Sequence, residues 1–66
     1  MADEWVYINV QVIRQETEKA FQVVLENGQI IWLPKSQISD SEDYEAGDRD
    51  VELAITQWIA TEKELL

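Results

Sequence analysis

Hydrophobic and polar residues alternate along residues 5–13. Val6, Ile8, Val10 and Val12 fall on one side of an extended chain, and Trp5, Tyr7, Asn9 and Gln11 on the other. Successive strand side chains project to opposite faces, and the run is rich in β-branched and aromatic residues, so the pattern predicts a strand. Residues 14–19 are polar and mixed in charge, and read as a connection. Residues 20–26 predict a second strand and residues 29–33 a third, with Asn27-Gly28 between them. Asn-Gly signals a two-residue type I′ hairpin, which needs positive φ at both positions. That turn would place Leu25 opposite Ile30, Val24 opposite Ile31 and Val23 opposite Trp32. Phe21, Val23, Leu25, Ile30 and Trp32 would then share one face, and Val24, Ile31 and Leu33 the other. A hairpin with two apolar faces is best buried by closing the sheet on itself or covering it with a helix.

Pro34 lacks a ladder donor and ends the third strand. Lys35-Ser36-Gln37-Ile38 predicts a tight turn or one turn of 3₁₀ helix, with Ile38 tucked beneath the sheet as a plug. Residues 39–50 form an acidic, turn-rich loop. In residues 50–55, Val51, Leu53 and Ile55 alternate with polar or small residues, which predicts a fourth strand. Thr56 is a suitable N-cap for a helix over residues 57–66 that would dock Trp58 and Ile59. The order predicts a mainly β protein: a small β-barrel of four to five strands, Src-homology-like or OB-like, with a short C-terminal α-helix.

The chain has 66 residues, enough for one small domain spanning 1–66. About 45% of residues are hydrophobic, which argues against an acidic disordered tail. There is no cysteine and no histidine, which excludes disulfides, thiolate chemistry and imidazole ligands. Fourteen acidic residues against five basic ones give a net charge of −9. That charge repels nucleic acid and anionic lipid, so neither direct nucleic-acid binding nor membrane binding is expected. The N-terminal residues are acidic rather than basic, with no apolar run of about 7–15 residues as in a secretory signal. No segment approaches the ~20 apolar residues of a membrane span. The expectation is a cytoplasmic protein.

The run Glu16-Thr17-Glu18-Lys19-Ala20, then Gly28, then Trp32-Leu33-Pro34-Lys35-Ser36-Gln37, then Trp58, resembles a group of small prokaryotic and bacteriophage proteins. The resemblance covers roughly residues 14–60, and Trp-x-Pro-Lys-Ser-Gln is its most specific part. It implies a small barrel with a C-terminal helix and a prokaryotic or phage origin. It carries over no activity and no catalytic residue. Members would carry a proline near Gln57, which this chain lacks.

Asp40, Glu42, Asp43, Glu45, Asp48, Asp50 and Glu52 concentrate negative charge, with Arg49 alone against them. A calcium loop places ligands at alternate positions, glycine sixth and a bidentate Glu twelfth. With Gly47 sixth, Tyr44 is third, Ala46 fifth and Leu53 twelfth, so the pattern fails and no metal is expected. The remaining readings are a solvated loop that keeps the domain soluble, and an anionic surface that binds a basic partner or mimics a phosphate backbone. Trp32 and Trp58 are expected in or against the core. Trp5 and Tyr7, on the more polar face of the first strand, are candidate protein-contact residues. Lys35-Ser36 and the pair Glu16/Glu18 could in principle carry nucleophilic or acid–base chemistry. A barrel this small offers little room for an enclosed cleft, and no cofactor or enzyme activity is expected.

The preferred reading is a non-enzymatic protein-interaction module. Its candidate contact residues are Trp5, Tyr7, Asp40, Glu42, Asp43, Glu45 and Asp48, or an open strand edge. One alternative is a phage-type inhibitor whose acidic surface blocks a host nucleic-acid enzyme. Another is a homo-oligomer that pairs exposed strand edges.

Overall fold

The computed structural model describes residues 4–65. Four antiparallel strands form one sheet in the order β3-β2-β1-β4, with β1 Trp5–Glu16, β2 Ala20–Leu25, β3 Ile30–Pro34 and β4 Arg49–Thr56. A six-residue helix, α1 Gln57–Glu62, follows β4 directly. The sheet is not closed: β3 and β4 are its edges. Past β3, the chain makes a 3₁₀ turn over Lys35–Gln37 and forms an isolated β-bridge to β4, Ile38 to Ile55. Ile38 is buried there, as the plug position requires.

β1 is longer than its alternation suggests and takes in three residues expected in a connection. Its N-terminal half pairs with β4, from Trp5 opposite Thr56 to Val12 opposite Arg49. Its C-terminal half pairs with β2, from Val10 opposite Leu25 to Glu16 opposite Phe21. Two irregularities, between Val10 and Val12 and between Ile13 and Gln15, each add one residue to β1. A bulge bends and twists its strand, which lets one strand serve both halves of the sheet. It also changes which residues face inward. Val10 and Ile13 are buried, so the simple alternation fails past Val10, and Val12 pairs with Val24 rather than joining the core. The Gln11 carboxamide, at the first bulge, donates to the carbonyls of Leu25 and Glu26, both at 3.0 Å. In β4, opposite this bulge, Asp50 adopts φ 53°, a left-handed conformation that Asp tolerates better than most residues.

The β2–β3 hairpin corrects the expected register. The Gly28 N–H donates to Leu25 O and the Leu25 N–H to Gln29 O, each at 2.8 Å. The loop is therefore three residues, Glu26-Asn27-Gly28, with Gly28 alone at positive φ, 89°. This is the type I turn with a following glycine bulge, not the two-residue type I′ turn. Val24 faces Ile30, Val23 faces Ile31, Gln22 faces Trp32 and Phe21 faces Leu33. A one-residue slip moves every side chain of a strand to the other face. Ile31 and Leu33 therefore enter the core with Phe21 and Val23, while Ile30 and Trp32 turn outward.

The core is completed by Leu53 and Ile55 from β4 and by Ile59 and Ala60 from α1. The Thr56 hydroxyl caps α1 by accepting from Ile59 N at 3.2 Å. The helix stops after Glu62, short of the expected 57–66. Glu64 takes φ 59°, and its N–H reaches Thr61 O while Leu65 N–H reaches Ala60 O. These two bonds form a Schellman motif, which folds Leu65 back against the core. Leu66, expected in the helix, lies outside the described residues.

Candidate functional site

The large apolar side chains left at the surface form two groups. The first lies where β1 begins and β4 ends. Trp5 is 43% exposed, Tyr7 65% and Trp58 61%. Trp5 pairs with Thr56 and Tyr7 with Ala54, so both aromatics lie on the sheet face away from the core, and Trp58 lies two residues beyond Thr56. The exposure of Trp58 corrects the expectation that it docks the helix. The residues of α1 that turn inward are Ile59 and Ala60.

The second group lies on β3, where Ile30 is 46% exposed and Trp32 40%. Trp32 is thus not the core residue the two-residue hairpin implied. Ile30 continues a row across three strands, Val12 opposite Val24 and Val24 opposite Ile30. The signal for this register was Glu26. A glutamate fits a turn position better than a strand pair with Gln29.

The acidic candidates are not gathered into one centre. Asp40 sits in the left-handed region at φ 54° and precedes a second 3₁₀ turn, Ser41–Asp43, which carries Glu42 and Asp43 exposed. Glu45 is exposed, and its N–H donates to the Asp48 carboxylate at 3.0 Å. Asp48 thus braces the turn into β4. The same loop continues the β1 ladder, with Ile13 N–H reaching Asp48 O and Gly47 N–H reaching Ile13 O. Among the described residues, no group of three or more Asp, Glu, His or Cys side chains is arranged to hold a metal ion.

The residues that carried the family resemblance make contacts within the fold. Glu16 Oε2 lies 2.6 Å from Lys35 Nζ, and Glu16 Oε1 accepts from Ala46 N at 3.3 Å. The Lys35 ammonium beside it holds the Glu16 carboxyl below the ordinary glutamate value. The Ala46 N–H acts in the same direction, and partial desolvation opposes both. The Lys35 ammonium also lies 4.9 Å from the Phe21 ring centroid. The Thr17 hydroxyl accepts from Ala20 N at 3.1 Å and closes the β1–β2 turn. The carboxamide oxygen of Gln37 accepts from the Thr56 hydroxyl at 2.7 Å, which joins the 3₁₀ turn to the helix cap. Ser36 is exposed, and its turn has no side-chain cap bond. Among the described residues, no helix is long and apolar enough to cross a membrane. Comparison of the chain with protein-family models, with curated proteins and with solved structures finds no match.

Proposed function

We propose that the chain is a non-enzymatic protein-interaction module that engages a partner through Trp5 and Tyr7, extended by Trp58. The exposure of Trp5 and Tyr7 on β1, with Trp58 exposed on the helix that follows β4, carries this reading. Tryptophan and tyrosine bring large apolar area at low entropic cost and dominate binding hot spots. In this reading the bulged β1 and the Ile38–Ile55 bridge belong to a small barrel of Src-homology-like or OB-like type. The chain works in the cytoplasm and is of prokaryotic or bacteriophage origin, in keeping with the resemblance over residues 14–60.

The test is capture from lysate with tagged protein, washed at low and then high salt. A partner that resists salt and is lost on Trp5→Ala supports the module. Apolar contacts are weakly salt-sensitive, whereas those between a charged loop and a basic groove are not.

The reading as an inhibitor that mimics nucleic acid has one observation in its favour. Among the described residues, Lys35–Glu16 is the only ion pair, so the carboxylates of Glu42, Asp43 and Glu45 form none. It predicts capture of a nucleic-acid enzyme that salt releases. That capture would be lost when Asp40, Glu42, Asp43 and Glu45 become Asn or Gln, and would survive Trp5→Ala.

A further inference from the structure

The ladder of β3 has one side occupied and the other open. Leu25 N–H bonds Gln29 O and Lys35 N–H bonds Lys19 O, each at 2.8 Å. Backbone groups in an antiparallel strand point alternately to one side and the other. Gln29, Ile31, Leu33 and Lys35 therefore address β2, and the N–H and C=O of Ile30 and Trp32 address the free edge. These are also the two β3 residues whose side chains are exposed. Natural edges are commonly protected by short length, lysine, proline, inward charges or a bulge, and β3 has the first of these and a proline at its end. From Asn27 to Pro34 there is no charged residue, in a chain that is 29% charged. Pro34 limits the edge at its C-terminal end.

We propose that the occupant of this edge is a second copy of the chain, paired antiparallel through β3 about a two-fold axis at Ile31. Ile30 then faces Trp32 of the second copy and Trp32 faces its Ile30. Each of these pairs exchanges two N–H···O bonds, and the ladder stops where Gly28 meets the donor-less Pro34. The side chains of Ile30 and Trp32 from the two copies meet on the outer face as aromatic–aliphatic cross-strand pairs.

The two-fold register selects this occupant, because Ile30 and Trp32 each meet the other in the second copy, and the charge pattern permits it. A chain of net −9 repels its own copy across most surfaces. The uncharged β3 segment brings no like charges together. It leaves β4, with the acidic loop that feeds it, on the outer edges of the joined sheet. A foreign strand drawn in by the net charge would be basic, and residues 27–34 hold no carboxylate to receive it. Stable interfaces bury about 800 Å² per partner. Against this chain's 4332 Å² of accessible surface, a five-residue edge supplies less than that. The dimer is therefore weak, and salt strengthens it by screening the like charges.

The test is sedimentation equilibrium of the full chain from micromolar to millimolar concentration, at low and high salt, with amide exchange measured across the same range. The expected mass rises from 7.7 kDa toward twice that value, further at high salt. The amides of Ile30 and Trp32 gain protection in step with mass, and Ile30→Lys abolishes both changes. A 7.7 kDa mass at every concentration and salt overturns the proposal. So does an assembly that salt dissociates, or one that forms while the Ile30 and Trp32 amides stay unprotected. Protection of those amides only on adding another protein overturns it in favour of a foreign strand. Should Ile30→Lys fail to fold, exchange in the unmodified chain decides alone.

Discussion

Lys35, the first residue after β3, places its ammonium 2.6 Å from the carboxylate of Glu16, the last residue of β1. The same ammonium lies over the ring of Phe21, which is fully buried and pairs with Glu16 across the sheet. One contact thus ties the ends of two strands that are not neighbours in the sheet and covers one end of the core. The Glu16 carboxyl is held below its ordinary value in the fold and returns to that value on unfolding. Its contribution to stability is fully present above the ordinary glutamate range and is lost as the pH falls through the lower folded value. Urea unfolding of the native chain and Glu16→Gln should differ most at neutral pH and converge on acidification. A difference that stays constant with pH would show that the pair has no linked proton.

The hairpin register makes its own prediction. An ideal Cβ on Gly28 meets nothing within 4 Å, so the cost of Gly28→Ala is purely conformational, about 1 kcal/mol. Asn27 has negative φ in the three-residue loop, and its side-chain oxygen accepts from Gln29 N at 2.9 Å. Asn27→Gly should therefore destabilise, through the lost bond and the freer backbone. In a type I′ turn it would be nearly neutral. Chemical denaturation of both variants separates the two turns.

Trp32 and Leu33 are adjacent and face opposite ways. Leu33 is wholly buried, so Leu33→Ala should cost about 2–5 kcal/mol. Trp32→Ala, at a partly exposed position, should cost clearly less despite removing the larger side chain. Thermal unfolding decides between them, because each kcal/mol moves the midpoint by roughly 4–8 °C in a domain of this size. The reverse order would restore the two-residue hairpin.

The Thr56 hydroxyl accepts from Ile59 N and donates to Gln37. Thr56→Ala should cost about 1–2 kcal/mol, and Thr56→Ser much less because the hydroxyl remains. Gln37→Ala should cost less in the Thr56→Ala background than in the native chain, since the two side chains share one bond. Additive losses in a double-mutant cycle would show that the two act separately.

Much of the architecture was readable in local pattern. The alternation at Val51, Leu53 and Ile55, the stop at Pro34 and the cap at Thr56 each rest on chemistry within a few residues. Long-range features were not readable. The bulges in β1 depend on pairing one strand with both β2 and β4. The inward turn of Ile59 and Ala60 rather than Trp58 depends on how α1 leaves β4. Among the candidate contact residues, Trp5 and Tyr7 were marked by their polar-face neighbours Asn9 and Gln11. Trp58, Ile30 and Trp32 were hidden because a large apolar side chain looks like core until its register is known. The carboxylate of Asp48, a candidate for the anionic surface, also braces a turn, a contact that its place in the sequence does not reveal.

The amino-acid sequence by itself determined that this is an acidic, mainly β chain without thiol or imidazole chemistry, its four strands and terminal helix in their observed order. Composition and short-range periodicity are enough for that, because they set backbone preference and total charge. Only the tertiary structure decided which apolar residues are core and which are surface. That choice turns on single-residue shifts at the Glu26–Gly28 loop and at the Gln11 bulge. A strand's faces alternate with period two, so each shift exchanges inside for outside without changing the local propensity of any residue.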